Sequence, residues 1–203
     1  DDLGLRPEKP DWSKGFDAIW SPGETGALNR LNAFLDGPVE AYPDERDHPG
    51  KEDGTSGLSP HLRFGEIGPA QIWRAVTSAV EAGRISDDGG WKFLSEIVWR
   101  EFSYVLLYHR PDLAEANYNS DFDHMPWRTD EPALKAWQTG QTGYPIVDAG
   151  MRQLWETGWM HNRVRMIVAS FLTKHLLLHW QNGEVWFWDT LVDADPASNP
   201  ASW

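Results

Sequence analysis

The sequence predicts an all-α fold, and three observations support that prediction. Apolar residues recur at three- and four-residue spacing, as in Ile72, Val76 and Val80, which is the period of a helix with one buried face. Prolines stand near the predicted helix starts and glycines just past the ends, where these residues are favoured. No segment alternates convincingly between apolar and polar residues, as a half-buried strand does.

The first predicted helix begins at Ser21, which has the spacing of a capping box with Glu24, and it ends at Gly37. Residues 38–57 are rich in Pro, Gly and Asp, so we expect a polar loop there. Further helices are predicted at residues 69–83, 91–109, 133–139, 147–156 and 162–179.

Within helix 91–109 one face is apolar, and we expect that face to be buried. It consists of Leu94, Ile97, Val98, Phe102, Val105 and Leu106. Residues 1–20 contain prolines and mixed charge without a periodic apolar face, which is typical of the end of an interdomain linker. The domain itself is therefore predicted to span residues 21–203.

Composition excludes several kinds of chemistry. The 203 residues include no cysteine, which rules out disulfides, thiol nucleophiles, cysteine-ligated zinc and cysteine-held iron–sulfur clusters. No apolar run approaches the roughly 20 residues that span a bilayer, and the first twelve residues lack the features of an export signal. We expect a cytoplasmic, monomeric protein without a membrane segment. Any redox chemistry must come from a bound cofactor or from aromatic residues such as the 13 tryptophans.

The net charge of −13 is unevenly distributed along the chain. Residues 1–60 carry 13 acidic and 6 basic side chains, whereas residues 151–175 carry four basic side chains and one acidic one. Binding to nucleic acid requires clustered Lys and Arg, and the second segment could supply them on one face of an acidic protein.

The hydroxyl-rich segment from Thr55 to Leu62 reads Thr-Ser-Gly-Leu-Ser-Pro-His-Leu. Hydroxyls and backbone N–H groups just before a helix can bind phosphate oxygens. The alternative interpretation is an ordinary Ser/Thr cap of a helix.

Two helix faces carry polar and stackable groups. Glu96 and Trp99 lie three residues apart, so a carboxylate and an indole can address one ligand, such as an extruded base. Asn162, Arg165 and Met166 share the face of the last predicted helix that is opposite its apolar stripe. The alternatives are a core tryptophan beside a surface glutamate, and a merely solvated helix face.

Two patterns resemble metal sites but lack required parts. Asp193, Asp195 and Asn199 are spaced like calcium ligands, yet the glycine and the terminal glutamate of an EF-hand loop are missing. His175 and His179 have the spacing of helical zinc ligands, but no glutamate follows His175 as in the metalloprotease motif. We expect no metal site.

Taken together, these segments resemble the photolyase/cryptochrome family over about residues 42–203. They occur in the family's order and approximate spacing, and Gly-Gln-Thr-Gly-Tyr-Pro-Ile-Val-Asp-Ala at residues 140–149 joins them. The resemblance implies a helical FAD-binding domain of a class I DNA photolyase. Such enzymes use light and an electron from reduced FAD to split cyclobutane pyrimidine dimers in DNA.

The resemblance also implies a role for each site residue. The residues implied to bind FAD are Tyr42, Thr55, Ser56, Gly57, Leu58, Ser59, Arg165, Asp193, Asp195 and Asn199. Those implied for catalysis are Glu96, Trp99, Asn162 and Asn199. Those implied to contact DNA are Trp99, Arg163 and Met166. Those implied to carry electrons from the surface to the flavin are Trp137, Trp180 and Trp203.

The branch of the family follows from Trp99, Asn162, Met166 and Asn199. Six-four photolyases carry a histidine where Asn162 stands, and plant cryptochromes usually lack the tryptophan and have an acid in place of Asn199. These residues therefore indicate cyclobutane-dimer repair. The main alternative is a cryptochrome-type light sensor, and a second is a tryptophan-rich interaction module without a cofactor.

Family members have parts that this sequence does not contain. The resemblance implies a preceding α/β domain with a folate or deazaflavin antenna, and further helices after Trp203. We therefore expect the 203 residues to hold most of the catalytic side chains but to bind FAD poorly.

Overall fold

The structure is a computed structural model that describes Lys9, residues 11–51 and residues 53–203. Its described residues form ten α-helices and no strand, so the all-α prediction is confirmed. The helices are α1 (Glu24–Leu35), α2 (Pro38–Glu45), α3 (Ser59–Arg63), α4 (Pro69–Glu81), α5 (Asp87–His109), α6 (Glu131–Gln138), α7 (Pro145–Thr157), α8 (Asn162–Ser170), α9 (Trp180–Thr190) and α10 (Ser198–Ala201). A 3₁₀ turn spans Ser120–His124, and a π-helical turn, Phe171–His175, continues α8.

The predicted start of the first helix was wrong. Helix α1 begins at Glu24, and its N-cap is Gly23, which makes no side-chain capping bond. Gly23 has φ 99°, a backbone conformation that L-residues rarely adopt, so the helix cannot extend back to Ser21. The spacing of Ser21 and Glu24 therefore does not form a capping box. Nine residues of the predicted linker, 1–20, lie outside the described residues, and the domain division stays a prediction.

Helix α2 occupies part of the segment predicted as a polar loop. It begins at Pro38, and its side chains Val39 and Tyr42 are buried against α5. Eight residues are too few for a clear apolar period, and Pro43 inside the helix further obscures it. Packing against α5 therefore stabilises a helix that the local pattern does not reveal.

The predicted helix at 162–179 is shorter than expected. Helix α8 passes into the π-helical turn, and Leu177 has a positive φ of 55°, which ends the helical path. The backbone N–H of Arg128 donates to the Leu177 carbonyl at 2.7 Å, so a neighbouring segment fixes this break. Helix α9 then begins at Trp180 and was not predicted.

Two apolar cores form the interior of the described chain. The first lies between α1, α2, α4 and the first half of α5, and the second lies between α6, α7, α8 and α9. Helix α10 packs against both α5 and α9 and so joins the two halves. A cleft lies at this junction.

Only the first half of helix α5 buries its apolar face. Val98, Phe102 and Val105 are each about half exposed, contrary to the prediction. Beyond them lies an apolar groove of about 790 Å³, whose lining includes Leu106 and Trp127. The helical period is real, but α10, which packs against α5, leaves these three side chains about half exposed.

Asp148 holds the turn that precedes helix α7. Its carboxylate accepts hydrogen bonds from the Thr142 N–H at 2.7 Å, the Thr142 hydroxyl at 2.6 Å and the Gly143 N–H at 2.9 Å. Burial acts to raise the pKa of this carboxyl, but these hydrogen bonds outweigh it and the pKa is lowered.

We expect Asp148→Ala to lower the free energy of unfolding by roughly 1–3 kcal/mol, because two backbone N–H groups lose their acceptor. The pKa of Asp148 is lower in the folded state than its ordinary value. The stability that the ionised carboxyl contributes is therefore fully present above the ordinary pKa and is lost as pH falls through the folded-state pKa. Urea unfolding at several pH values measures both effects. Asp36→Ala removes an exposed carboxyl and is the control; equal losses in the two variants would contradict the assignment.

Candidate functional site

A cleft of about 330 Å³ opens between the two cores. The structure brings most of the predicted site residues together along it. From the first half of the chain they are Tyr42, Thr55, Ser56, Gly57, Leu58, Ser59, Glu96 and Trp99, and from the second half Asn162, Arg165, Asp193 and Asp195.

A smaller cavity of about 180 Å³ adjoins the cleft. Arg165, Asp193 and Asp195 line both spaces, so the two share one wall. The cavity adds Met166 and Asn199, which completes the predicted set apart from Arg163 and two of the tryptophans. Residues about 150 positions apart in the sequence thus face one continuous space.

The loop from Thr55 to Ser59 presents polar groups to the cleft. Gly57 has φ 60°, and the buried Leu58 anchors the loop in the first core. Within the described chain, the N–H groups of Gly57 and Ser59 donate to no protein acceptor. The loop therefore offers free N–H donors beside its hydroxyls, which is an arrangement that binds phosphate oxygens.

Arg165 fixes the wall between the cleft and the cavity. Its guanidinium forms a bidentate pair with the buried Asp193 at 3.1 and 2.8 Å, and its Nε donates to the Met160 carbonyl at 2.7 Å. Asp195 accepts from the backbone N–H groups of Ala197 and Ser198 at 2.9 and 2.6 Å. Both carboxylates therefore hold the chain that leads into α10.

Asn199 is oriented by a glutamate that sequence reasoning missed. Its Nδ2 donates to Glu184 Oε1 at 3.0 Å and to the Glu184 carbonyl at 3.2 Å. Burial raises the pKa of the Glu184 carboxyl, while the hydrogen bond from Asn199 acts in the opposite direction. No motif contains Glu184, because its role depends on the meeting of α9 and α10.

The rim of the cleft carries charged pairs. Glu96 pairs with Arg46, which caps the C-terminus of α2, and Arg163 forms a bidentate pair with Asp47 at 2.8 and 2.7 Å. Arg163 therefore lies at the rim, outside the cleft lining. Trp99 is 62% exposed at the same mouth, with its indole available to a ligand.

Tyr42 is a buried part of the cleft wall. Burial raises the pKa of its phenol to about 12, so the hydroxyl stays protonated at neutral pH. It packs edge-on against Phe34 and Phe93, with ring centroids 5.4 and 5.7 Å apart.

Two of the three predicted tryptophans, Trp137 and Trp180, are buried. Trp137 is completely buried, donates through Nε1 to the Val168 carbonyl at 3.0 Å and contacts Trp203, with ring centroids 6.5 Å apart. The Trp137 ring is therefore shielded from solvent. Trp127, which was not predicted, lines the same groove as Trp180 and Trp203.

Two further properties concern only the described residues. They contain no group of three or more His, Cys, Asp or Glu side chains placed to hold a metal ion. No described helix combines the length and apolar character needed to cross a membrane.

Comparison with known proteins identifies the family. Residues 93–203 match the family described as the FAD binding domain of DNA photolyase. The chain belongs to this family. As the resemblance implied, its FAD-binding domain is helical.

Similar proteins include photolyases and a cryptochrome. The chain is 60% identical over 199 residues to the deoxyribodipyrimidine photo-lyase of Agrobacterium fabrum, covering 98% of the chain and 41% of that protein. It superposes with a TM-score of 0.95 on a bacterial class III photolyase from Agrobacterium tumefaciens, at 58% identity, covering all of the chain and 41% of that structure. A cryptochrome from Synechocystis sp. gives a TM-score of 0.86 at 34% identity, covering 91% of the chain and 38% of that structure.

We expect Glu184→Gln to change how the stability of this photolyase-family domain depends on pH. Because the folded-state pKa of Glu184 is raised, its carboxyl contributes most to stability at low pH, and that contribution is lost as pH rises through the raised value. Glutamine does not titrate, so the variant becomes relatively more stable with rising pH. Urea unfolding from about pH 4 to about pH 8 tests this. Glu81→Gln on α4 is the exposed control, and a constant difference between Glu184→Gln and wild type would contradict the assignment.

Proposed function

We propose that this chain is the FAD-binding catalytic part of a deoxyribodipyrimidine photolyase, which uses light to repair cyclobutane pyrimidine dimers in DNA. The chain spans about two fifths of the length of its photolyase relatives, so the activity of the whole protein is part of the proposal. The observation that carries it is the cleft, where a phosphate-type loop, a buried polar wall and an exposed indole face one space.

The cleft and its adjoining cavity fit FAD. The diphosphate of FAD links its adenosine to its flavin, so a polar loop joined to a partly apolar cavity matches the diphosphate and the flavin ring that follows it. The free N–H groups of Gly57 and Ser59, with the hydroxyls of Thr55 and Ser56, suit the diphosphate. When bound and reduced, FAD supplies the electron that light transfers to the dimer and that returns after the dimer splits.

The side chains on the cavity wall then have separate roles. The Nδ2 of Asn199 is committed to Glu184, and its Oδ1 has only a long contact, 3.4 Å, with the Trp203 indole N–H. This oxygen would accept an N–H of a bound flavin ring in place of that contact. Arg165 and Asp193 hold the ring and ribose region in a fixed geometry through their bidentate pair. Asp195 positions the start of α10, and with it Asn199.

The mouth of the cleft suits a base extruded from DNA. Trp99 offers an exposed face on which the dimer stacks, and Glu96 and Asn162 supply hydrogen-bonding groups beside it. Met166, about half exposed, lines the pocket. Arg163 at the rim contacts a DNA phosphate once it leaves Asp47.

The route that returns electrons to an oxidised flavin runs through tryptophans. We retain Trp203 beside the cavity and Trp180 in the groove as its inner members. Trp127 is the better outer member, because it lines the groove with both, whereas Trp137 is completely buried.

Two further parts of the proposal concern the class of photolyase and the antenna pigment. The high identity to a class III photolyase favours class III over the class I expected from the sequence. An antenna of folate or deazaflavin on a preceding domain remains part of the proposal. The main competing function is light sensing, which the similarity to the Synechocystis cryptochrome supports.

Repair activity separates the two functions. The protein is supplied with FAD and a reductant, mixed with an oligonucleotide that contains one cyclobutane thymine dimer, and exposed to blue or near-ultraviolet light. We expect light-dependent loss of the dimer, measured by chromatography, and no loss in the dark or without FAD. Bound flavin with no light-dependent repair would favour the sensor.

Trp99 is expected to contribute most of the selectivity for damaged DNA. We expect Trp99→Ala to weaken binding of the dimer-containing oligonucleotide by about 5- to 150-fold, which corresponds to the stacking of one base on an aromatic ring. Binding of undamaged DNA should change little. Trp91→Ala, which removes an exposed indole from the same helix outside the cleft, is the matched control. Similar losses in both variants would refute the role of Trp99.

A further inference from the structure

Arg30 on α1 packs behind the Thr55–Ser59 loop. A Cβ added to Gly57 would lie 2.2 Å from its Nη1, so the guanidinium is in direct contact with the loop backbone. Arg30 lines a separate polar cavity of about 330 Å³ and not the cleft. Thr55 and Ser56 line both spaces, so this loop separates Arg30 from the cleft.

The charge of Arg30 lacks a carboxylate partner in the described chain. The side chain is half-buried, its Nη2 donates to the Ile19 carbonyl at 3.1 Å, and its guanidinium lies 5.2 Å from the ring centroid of Trp20. Burial lowers the pKa of Arg30, with no acidic group offsetting the effect. A half-buried cation of this kind is stabilised by a nearby anion.

The cleft itself has little positive charge to offer an anion. Its two arginines are each paired with a carboxylate, Arg100 with Glu101 and Arg165 with Asp193. Helix α3, which follows the loop, has only five residues, so its dipole adds little. The acidic side chains that line the cleft would repel a diphosphate. Free N–H groups alone therefore face an unfavourable field.

We propose that Arg30 is a positioning residue for the FAD diphosphate and acts through the loop. Its unpaired charge attracts the phosphates across the thin Thr55–Ser59 backbone, while its contact with Gly57 keeps the guanidinium at the loop. This inference rests on the proposed function. Arg30 contributes to cofactor affinity although it does not line the cleft. The interaction is electrostatic, so added salt weakens it.

The test uses ADP, which carries the diphosphate, and riboflavin, which carries the flavin ring and ribityl chain but no phosphate. Dissociation constants are measured by NMR from the amide signals of Gly57, Leu58 and Ser59 for ADP, and from the Asn199 and Trp203 signals for riboflavin. The variants are Arg30→Gln, Arg30→Lys and the control Arg74→Gln, which removes an exposed charge on α4. Thermal unfolding checks that each variant is folded.

We expect Arg30→Gln to weaken ADP binding about 3- to 10-fold at low salt, as for a partly screened charge several ångströms away, and much less at about 0.5 M salt. Arg30→Lys keeps most of the affinity, and neither change alters riboflavin binding.

Four outcomes would overturn the inference. Equal ADP affinities in Arg30→Gln and Arg74→Gln would show that Arg30 has no specific role, and they would not affect the proposal of the cofactor site itself. Parallel losses for ADP and riboflavin would show that Arg30 only maintains the fold. Loss of affinity in Arg30→Lys equal to that in Arg30→Gln would exclude a charge effect. If ADP does not shift the loop signals of the wild-type chain, the proposed cofactor site fails together with the inference.

Discussion

The bidentate pair between Arg165 and Asp193 is the interaction on which the site depends. It joins α8 to the segment that precedes α10, while Arg63 of α3 donates to the carbonyl of the neighbouring Ala194. The two cores are thus connected through polar contacts at their junction. Breaking one partner of such a pair leaves a partly buried charge, which is far more costly than losing an exposed pair. The Arg165–Asp193 pair therefore keeps the shape of the cleft, because it lies in the cleft wall and crosslinks α8 to the segment before α10.

Charge at the cleft follows from the same arrangement. Carboxylates that hold the wall together also make the space acidic, although the proposed cofactor is an anion. Placing a cation behind a backbone loop resolves this conflict, because the charge acts on the ligand without competing for the carboxylates in the wall. Arg30 thus attracts the anionic cofactor from behind the loop, whereas Arg165 holds the wall of the site in place.

The sequence predicted the fold class, the longer helices and most of the residues that line the cleft. Such features depend on local period and on motifs in a recognisable order. It did not reveal α2, the break at Leu177 or the role of Glu184, since each depends on contacts between distant segments. The contact between Trp137 and Trp203 shows the same limit, because a match in position does not say which rings come within contact distance.

The half-exposed face of α5 also affects how the chain behaves in solution. An apolar groove of about 790 Å³ lies on a body with a net charge of −13 and a pI near 4.8. At neutral pH mutual repulsion keeps such surfaces apart, whereas near the isoelectric point that repulsion disappears while the apolar attraction remains. Colloidal stability of these 203 residues is therefore set by their net negative charge.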